Sequence, residues 1–303
     1  MSIFLTGTNQ GLLWGLLALG VFISFRILDF PDLTCEGCFT LGGAVTAILI
    51  FKNVNPFLAL LISGISGCVA GFVTGFLNTK LKIAPILAGI LTMIALYSIN
   101  IRIMGGSSNL SISRNSTVID FIQGWLGISK NIASLITGLI SCTLFVVLIY
   151  WFFGTQFGCA VRATGNNEKM CRAQGVDTDK SKIVGLMISN GLIALSGSLV
   201  AQSQNYSDVQ MGIGAIVFGL AAVIIGEALF IKKFNFFVKL IMIVVGSVVY
   251  RVIIAAILMS DFIKASDFKM ITSFVITIAL MLPSMSSFIK KTLKRKKERS
   301  ENA

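Results

Sequence analysis

Hydrophobic residues gather in nine blocks separated by short polar stretches, at 11–28, 33–51, 56–77, 83–104, 131–154, 183–203, 209–231, 236–259 and 268–288. Each is close to the ~20 residues of helix that a bilayer core requires. The pattern predicts an all-α polytopic membrane protein of about nine spans. Residues 1–289 form the membrane domain and 290–303 a polar tail. Blocks two and seven are rich in glycine and flanked by acids, so each reads either as a full span or as a broken, re-entrant helix. The first block follows Met1-Ser-Ile-Phe-Leu-Thr-Gly. With no positive segment and no cleavage motif ahead of it, it reads as a retained helix and not as a signal peptide.

Charge then orients the blocks. Residues 290–299 carry seven positive charges and one negative, and such a segment stays in the cytoplasm. Counting backwards, the other inside loops hold Lys232 and Lys233, the stretch 155–182, and Lys80 with Lys82. The outside loops are 260–267, 204–208, 105–130 and 52–55. The N-terminus falls outside. The weak point is the acidic first inside loop, 29–32. Within 105–130 an apolar piece, 118–128, carries Trp125 and suits the membrane interface.

Composition agrees with this class. The chain of 303 residues is 55% hydrophobic and 13% charged, against about 25% charged for an average soluble domain. A soluble enzyme, a disordered chain and a secreted disulfide scaffold are poor readings. The net charge of +12 follows from cationic inside loops, not from a nucleic-acid surface. The sequence has no histidine, the commonest general base and metal ligand. Cys35-Glu-Gly-Cys38 is a lone CxxC, and metal or redox work needs further ligands. No cofactor is expected.

Gly37-x4-Gly42-x-Ala44 and Gly214-x4-Gly219-x-Ala221 repeat one pattern. Each follows an acid, Asp32 or Asp208, and by the charge count they enter from opposite sides. That is the arrangement of an inverted repeat with broken helices meeting near the midplane. Recurrence of glycine spacing by chance is the alternative.

The loop 155–182 is too polar to span and too patterned for a linker. Asn166 is placed to cap a helix, Met170, Ala173 and Gln174 follow at helical spacing, and Gly175 stops it. This predicts an amphipathic helix of two to three turns across the cytoplasmic face, suited to a groove in a partner protein. An ordinary solvated loop is the competing reading.

The run Arg162-Ala163-Thr-Gly165-Asn-Asn167 through Arg172-Ala-Gln-Gly175-Val, followed by a helix with Ser196-Gly-Ser-Leu, resembles the permeases of binding-protein-dependent ABC importers of the branched-chain amino acid and ribose type. Met211-Gly-Ile-Gly214, 219–226 and Gly15-Leu-Leu-Ala-Leu-Gly20 extend the resemblance over nearly the whole membrane domain. The segments 32–42 and 81–100 look like the subgroup working with tryptophan- or tyrosine-type binding proteins. The Asp32 segment departs from the wider family, so that family's solute contacts do not transfer. Glu227 stands where the wider family often has glycine.

The resemblance implies two permease copies forming one pathway, expected to be a homodimer. It also implies two cytoplasmic ATPase subunits beneath and an extracytoplasmic substrate-binding protein above, in a bacterial cytoplasmic membrane. Arg162, Ala163, Gly165, Asn167, Arg172 and Gly175 would couple to the ATPase. The chain has no G-x4-G-K-[ST], so phosphates of ATP are not cradled here. The solute implied is an amino acid, aromatic by subgroup.

Polar groups within or beside spans are costly and are functional candidates. Asp32, Glu36, Asn100, Asp208 and Arg251 are the candidates for a pathway. Satisfying broken backbone, or pairing with each other, is the competing role for each. Gly64, Gly67, Gly71 and Gly75 form a close-packing face on the third span. A reading from another class is an ion-coupled secondary carrier, which also uses inverted repeats but needs no docking helix.

Overall fold

The computed structural model describes residues 2–112, 116–229 and 235–258, with positions 270, 273, 274 and 277. Most of the ninth block, Lys232, Lys233 and the basic tail lie outside the described residues.

The helices are α1 (Ser2–Val21), continued by π-helical Phe22–Ile27, then α2 (Thr34–Phe51), α3 (Pro56–Thr79), α4 (Pro85–Ile103), α5 (Val118–Leu126) and α6 (Lys130–Gly154). They are followed by α7 (Gln156–Asn166), α8 (Glu168–Ala173), α9 (Thr178–Gln204), α10 (Ala215–Ala228) and α11 (Phe236–Leu258). Seven helices among the described residues are long and apolar enough to cross a membrane. They coincide with the first six blocks and the eighth.

The two glycine-rich blocks separate. Block two is one continuous helix, α2, of 18 residues. Block seven is broken. Its helix, α10, has 14 residues and rises only about 21 Å, short of the ~30 Å hydrocarbon core. Residues 209–214 precede it as irregular chain and turn into α10 at Gly214, whose φ is +83°. Where non-helical backbone meets hydrocarbon, protein must cover it. Here α2 does so: a Cβ at Gly212 would overlap the carbonyl oxygen of Glu36.

Helix α9 is the axis of the bundle, packed by α3, α2 and α1. Small residues allow the approach. A Cβ on Gly67 or Gly71 would overlap the carbonyl oxygens of Asn190 or Leu186, and one on Gly64 or Gly75 would press on Leu195 or Ile183. The glycine face of the third span therefore lies against α9, as small-residue helix packing in membranes favours.

Two polar ends bracket the bundle. At one, β1 (Asn109–Ser111) and β2 (Tyr206–Asp208) pair antiparallel, Leu110 opposite Ser207. Ile112 packs near them with Ala47, Ile50 and Ala59. This ribbon end gathers the described loops expected outside, 52–55, 105–130 and 204–208. Helix α5 lies in one of them, closed by a Thr117/Asp120 capping box, with Trp125 80% exposed as an interface anchor would be. At the opposite, basic end, Lys80 reaches Asp179 at 3.8 Å and Arg26 reaches Glu227 at 2.9 Å. Of the loops expected inside, 29–32, 80–82 and 155–182 meet there.

Candidate functional site

The stretch 155–182 is an elbow of two helices, not one. Thr155 caps α7 by accepting from the Gly158 N–H at 3.1 Å. The cap expected at Asn166 is one residue later. Asn167, at φ −156°, leaves helical geometry and its Oδ1 accepts from the Met170 N–H at 3.0 Å. Two adjacent asparagines made the assignment ambiguous, and Gly158 with Gly165 disguised α7 as loop. Helix α8 has six residues, shorter than the expected two to three turns. Gly175 ends it at φ +82°. Its N–H donates to the Arg172 carbonyl at 3.1 Å and the Val176 N–H to the Cys171 carbonyl at 3.0 Å. That is the paired bonding of a Schellman stop, for which glycine is the favoured residue.

The elbow is fastened to the membrane domain at two places. At the first, α7 lies on the π-helical turn: a Cβ on Gly165 would overlap the Ile27 carbonyl oxygen and stand 2.8 Å from the Leu28 Cα. Ala163 is half-buried in this helix and Arg162 lies 4.8 Å over the Phe236 ring. At the second, Arg172 joins α8 to the start of α9. Its Nη2 donates to Thr178 Oγ1 at 2.8 Å, Glu168 Oε1 at 3.0 Å and Asp179 Oδ1 at 3.1 Å. Lys182 donates to the other Glu168 oxygen at 2.6 Å. The Lys182 hydrogen bond holds the Glu168 carboxyl below its usual range although partial burial opposes this, and the nearby Arg172 charge adds to the effect. Asp179 also faces Lys80 and Lys82, at 3.8 and 4.0 Å. Arg172, Lys80 and Lys82 are exposed while Glu168, Asp179 and Lys182 are half-buried, and surface pairs of this kind contribute about 1 kcal/mol or less each. Their effect is to fix the elbow's shape against the α3–α4 turn.

The pathway candidates divide. Glu36 and Asn100 meet at a cavity of about 310 Å³, lined also by Thr40, Met93 and Tyr97. Asn100 Nδ2 donates to the Gly37 carbonyl at 3.1 Å, while its Oδ1 is buried without a partner. Glu36 Oε1 accepts from the Gly214 N–H at 3.0 Å, so a carboxylate sits at the N-terminus of α10, where the helix dipole favours it. The starts of the two glycine repeats therefore touch.

The others lie elsewhere. Asp32 is fully buried, accepting from the Thr34 N–H at 2.9 Å and from Asn190 Nδ2 at 2.6 Å. It starts α2 and ties it to mid-α9. Asp208 lines a separate cavity of about 470 Å³ at the ribbon end and accepts from the Gln210 N–H at 2.6 Å. The Arg251 guanidinium lies 3.9 Å over Trp14 and 5.1 Å over Phe218. The Cys38 thiol donates to the Asn190 carbonyl at 3.2 Å, and Cys35 is buried.

Sequence reasoning missed Asn190, although an asparagine in the middle of an apolar block is itself a signal. It passed over the hydroxyl chain Thr34–Thr74–Thr92, linked at 2.7 and 3.0 Å, and left Glu227 without a role. Glu227 accepts both Arg26 nitrogens, at 2.9 and 3.0 Å.

The chain is 40% identical over 292 residues to a tyrosine transport system permease protein of Clostridioides difficile, covering 96% of this chain and 95% of that one. It is 33% identical over 284 residues to an uncharacterized protein of Rickettsia prowazekii, 92% of this chain and 97% of that one. It is 26% identical over 184 residues to the ribose import permease of Escherichia coli K12, 60% of this chain and 56% of that one. No solved structure matches. The family described as branched-chain amino acid transport system / permease component matches residues 3–282, nearly the whole membrane bundle and its elbow, and the chain belongs to that family of ABC permeases.

Proposed function

We propose that this permease carries an amino acid with an aromatic side chain through a pathway built from two copies of the chain. Nine spans leave the C-terminus in the cytoplasm of a bacterial cell. The glycine repeats mark two inverted halves. Cytoplasmic ATPase subunits bind the α7–α8 elbow and hydrolyse ATP, and an extracytoplasmic binding protein delivers solute at the ribbon end.

The elbow carries this reading. It is seated on the long apolar helices at two points, Gly165 on Ile27 and Arg172 on Thr178 and Asp179 at the start of α9. A push on α7 is therefore transmitted to the π-helical turn and, through residues 28–33, to the start of α2. One turn further on, Glu36 and Asn100 face the 310 Å³ cavity. Its Glu36 carboxylate suits an ammonium group, with the buried, unpartnered Asn100 oxygen beneath it, and Tyr97 with Met93 suits an aromatic ring. A tyrosine permease among the relatives supports the same class.

The test is uptake of radiolabelled tyrosine into vesicles holding the permease, its ATPase and its binding protein. Uptake should require ATP and survive collapse of ion gradients. Glu36→Gln and Asn100→Ala should lower it about tenfold or more, the effect of losing ~1.5–3 kcal/mol at a charged contact, with ATPase co-purification intact. Uptake that follows an ion gradient without ATP rejects the proposal.

A further inference from the structure

A polar cavity of about 450 Å³ opens at the basic end between the π-helical turn, α7, α10 and α11. Neither the proposed solute path nor the Arg172 network uses it. Among the described residues its lining carries three cations, Arg26, Arg162 and Lys239, and two carboxylates, Asp29 and Glu227.

The charges are not equivalent. Arg26 and Glu227 neutralise each other through two hydrogen bonds, at 2.9 and 3.0 Å. Arg162 is held by an aromatic face, 4.8 Å above Phe236, and Lys239 is exposed. Asp29 stands at the rim in a left-handed turn, φ 52°. Three positive against two negative charges leave an excess of one, the charge that a single phosphodiester neutralises. The rings of Phe22, Phe25 and Phe236 form the cavity's apolar side, so it offers cations above and hydrocarbon below, at the edge of a membrane domain. Basic pockets between helices on the cytoplasmic side are where anionic headgroups bind.

We infer that this cavity holds the headgroup of an anionic phospholipid, with its phosphodiester between Arg162 and Lys239 and its glycerol and upper acyl chains along the phenylalanine side. The lipid would then be in contact with α7 and the π-helical turn at once, the two elements that Gly165 brings together. This inference goes beyond the transport reading and does not depend on the identity of the solute.

The test uses the purified full-length permease, delipidated in neutral detergent. It is titrated with phosphatidylglycerol or phosphatidylcholine and bound lipid is counted by native mass spectrometry. Phosphatidylglycerol should bind in preference. Lys239→Gln should weaken it about fivefold, equivalent to about 1 kcal/mol for one cation near a lipid surface. Lys239→Arg should restore it, which separates charge from folding. Lys180→Gln, an exposed cation on the same end but outside the cavity, should leave binding unchanged. Equal loss with Lys180→Gln means diffuse surface charge and overturns the site. Equal binding of phosphatidylcholine overturns it too, as does displacement by millimolar inorganic phosphate, which would identify a soluble anion as the ligand.

Discussion

Gly165→Ala adds one methyl group at the point where the elbow meets the membrane domain. The added carbon would overlap the Ile27 carbonyl oxygen and lie 2.8 Å from both the Ile27 carbonyl carbon and the Leu28 Cα. All of these are backbone atoms, so no side chain can rotate away. Relief requires α7 to lift from the π-helical turn or the turn to move. Inserting a methylene into a packed contact costs about 1–3 kcal/mol, and the rigidity of both partners places this case toward the upper part of that range. Gly154→Ala supplies the contrast, because a Cβ there meets nothing within 4 Å. The expected result is a lower melting temperature for Gly165→Ala in detergent, with weakened ATPase co-purification, and near-neutral behaviour for Gly154→Ala. If the two variants melt alike and both couple normally, α7 is not seated on Ile27 and the mechanical argument fails.

Two further outcomes follow from the basic end. Because its folded pKa is depressed, Glu168 stabilises the elbow above its ordinary value of 4.5. That contribution persists as pH falls to this value and disappears only as pH drops through the folded pKa. The protection factors of the α8 amides, referred to intrinsic exchange at each pH, should therefore fall only in acid below the usual glutamate range, and in Glu168→Gln they should already be low at neutral pH; protection that does not change with pH in the parent chain contradicts the latch. Cys159 is exposed on α7 whereas Cys35, Cys38, Cys142 and Cys171 are buried. A membrane-impermeant maleimide should label Cys159 in inside-out vesicles and spare it in intact cells; the opposite pattern inverts the topology.

Much of the architecture was legible because membrane helices announce themselves by length and hydropathy: blocks two to six became single helices within about five residues, while the helix of block one begins nine residues earlier and turns π-helical at Phe22. The break in block seven was visible only as glycine content. Choosing it over block two depends on tertiary contacts: Gly212 fits against the Glu36 carbonyl in one, while α2 is continuous because Asp32 and Asn190 satisfy its start. The elbow residues were recognisable from family likeness, yet their division of labour was not. Gly165 is there for clearance, Asn167 and Gly175 for helix ends, and Arg172 for a network whose members lie up to 14 residues apart. The pathway set failed to resolve for a similar reason. Polar residues in apolar blocks look alike in sequence, and only packing distinguishes Asp32, consumed by backbone and Asn190, from Glu36 and Asn100, which border open space.

The small β1–β2 ribbon bears on how the protein is made. Asn109 and Asp208 are 99 positions apart, and α5 through α9 lie between them. Contacts so distant in sequence form late. During synthesis, β1 must wait outside the membrane, unpaired, until α9 has been threaded and its far end has emerged. Closure of the ribbon is then a late step, possible only once α5 through α9 have been made. A variant that frees it should be assembled less faithfully even where the finished protein is equally stable.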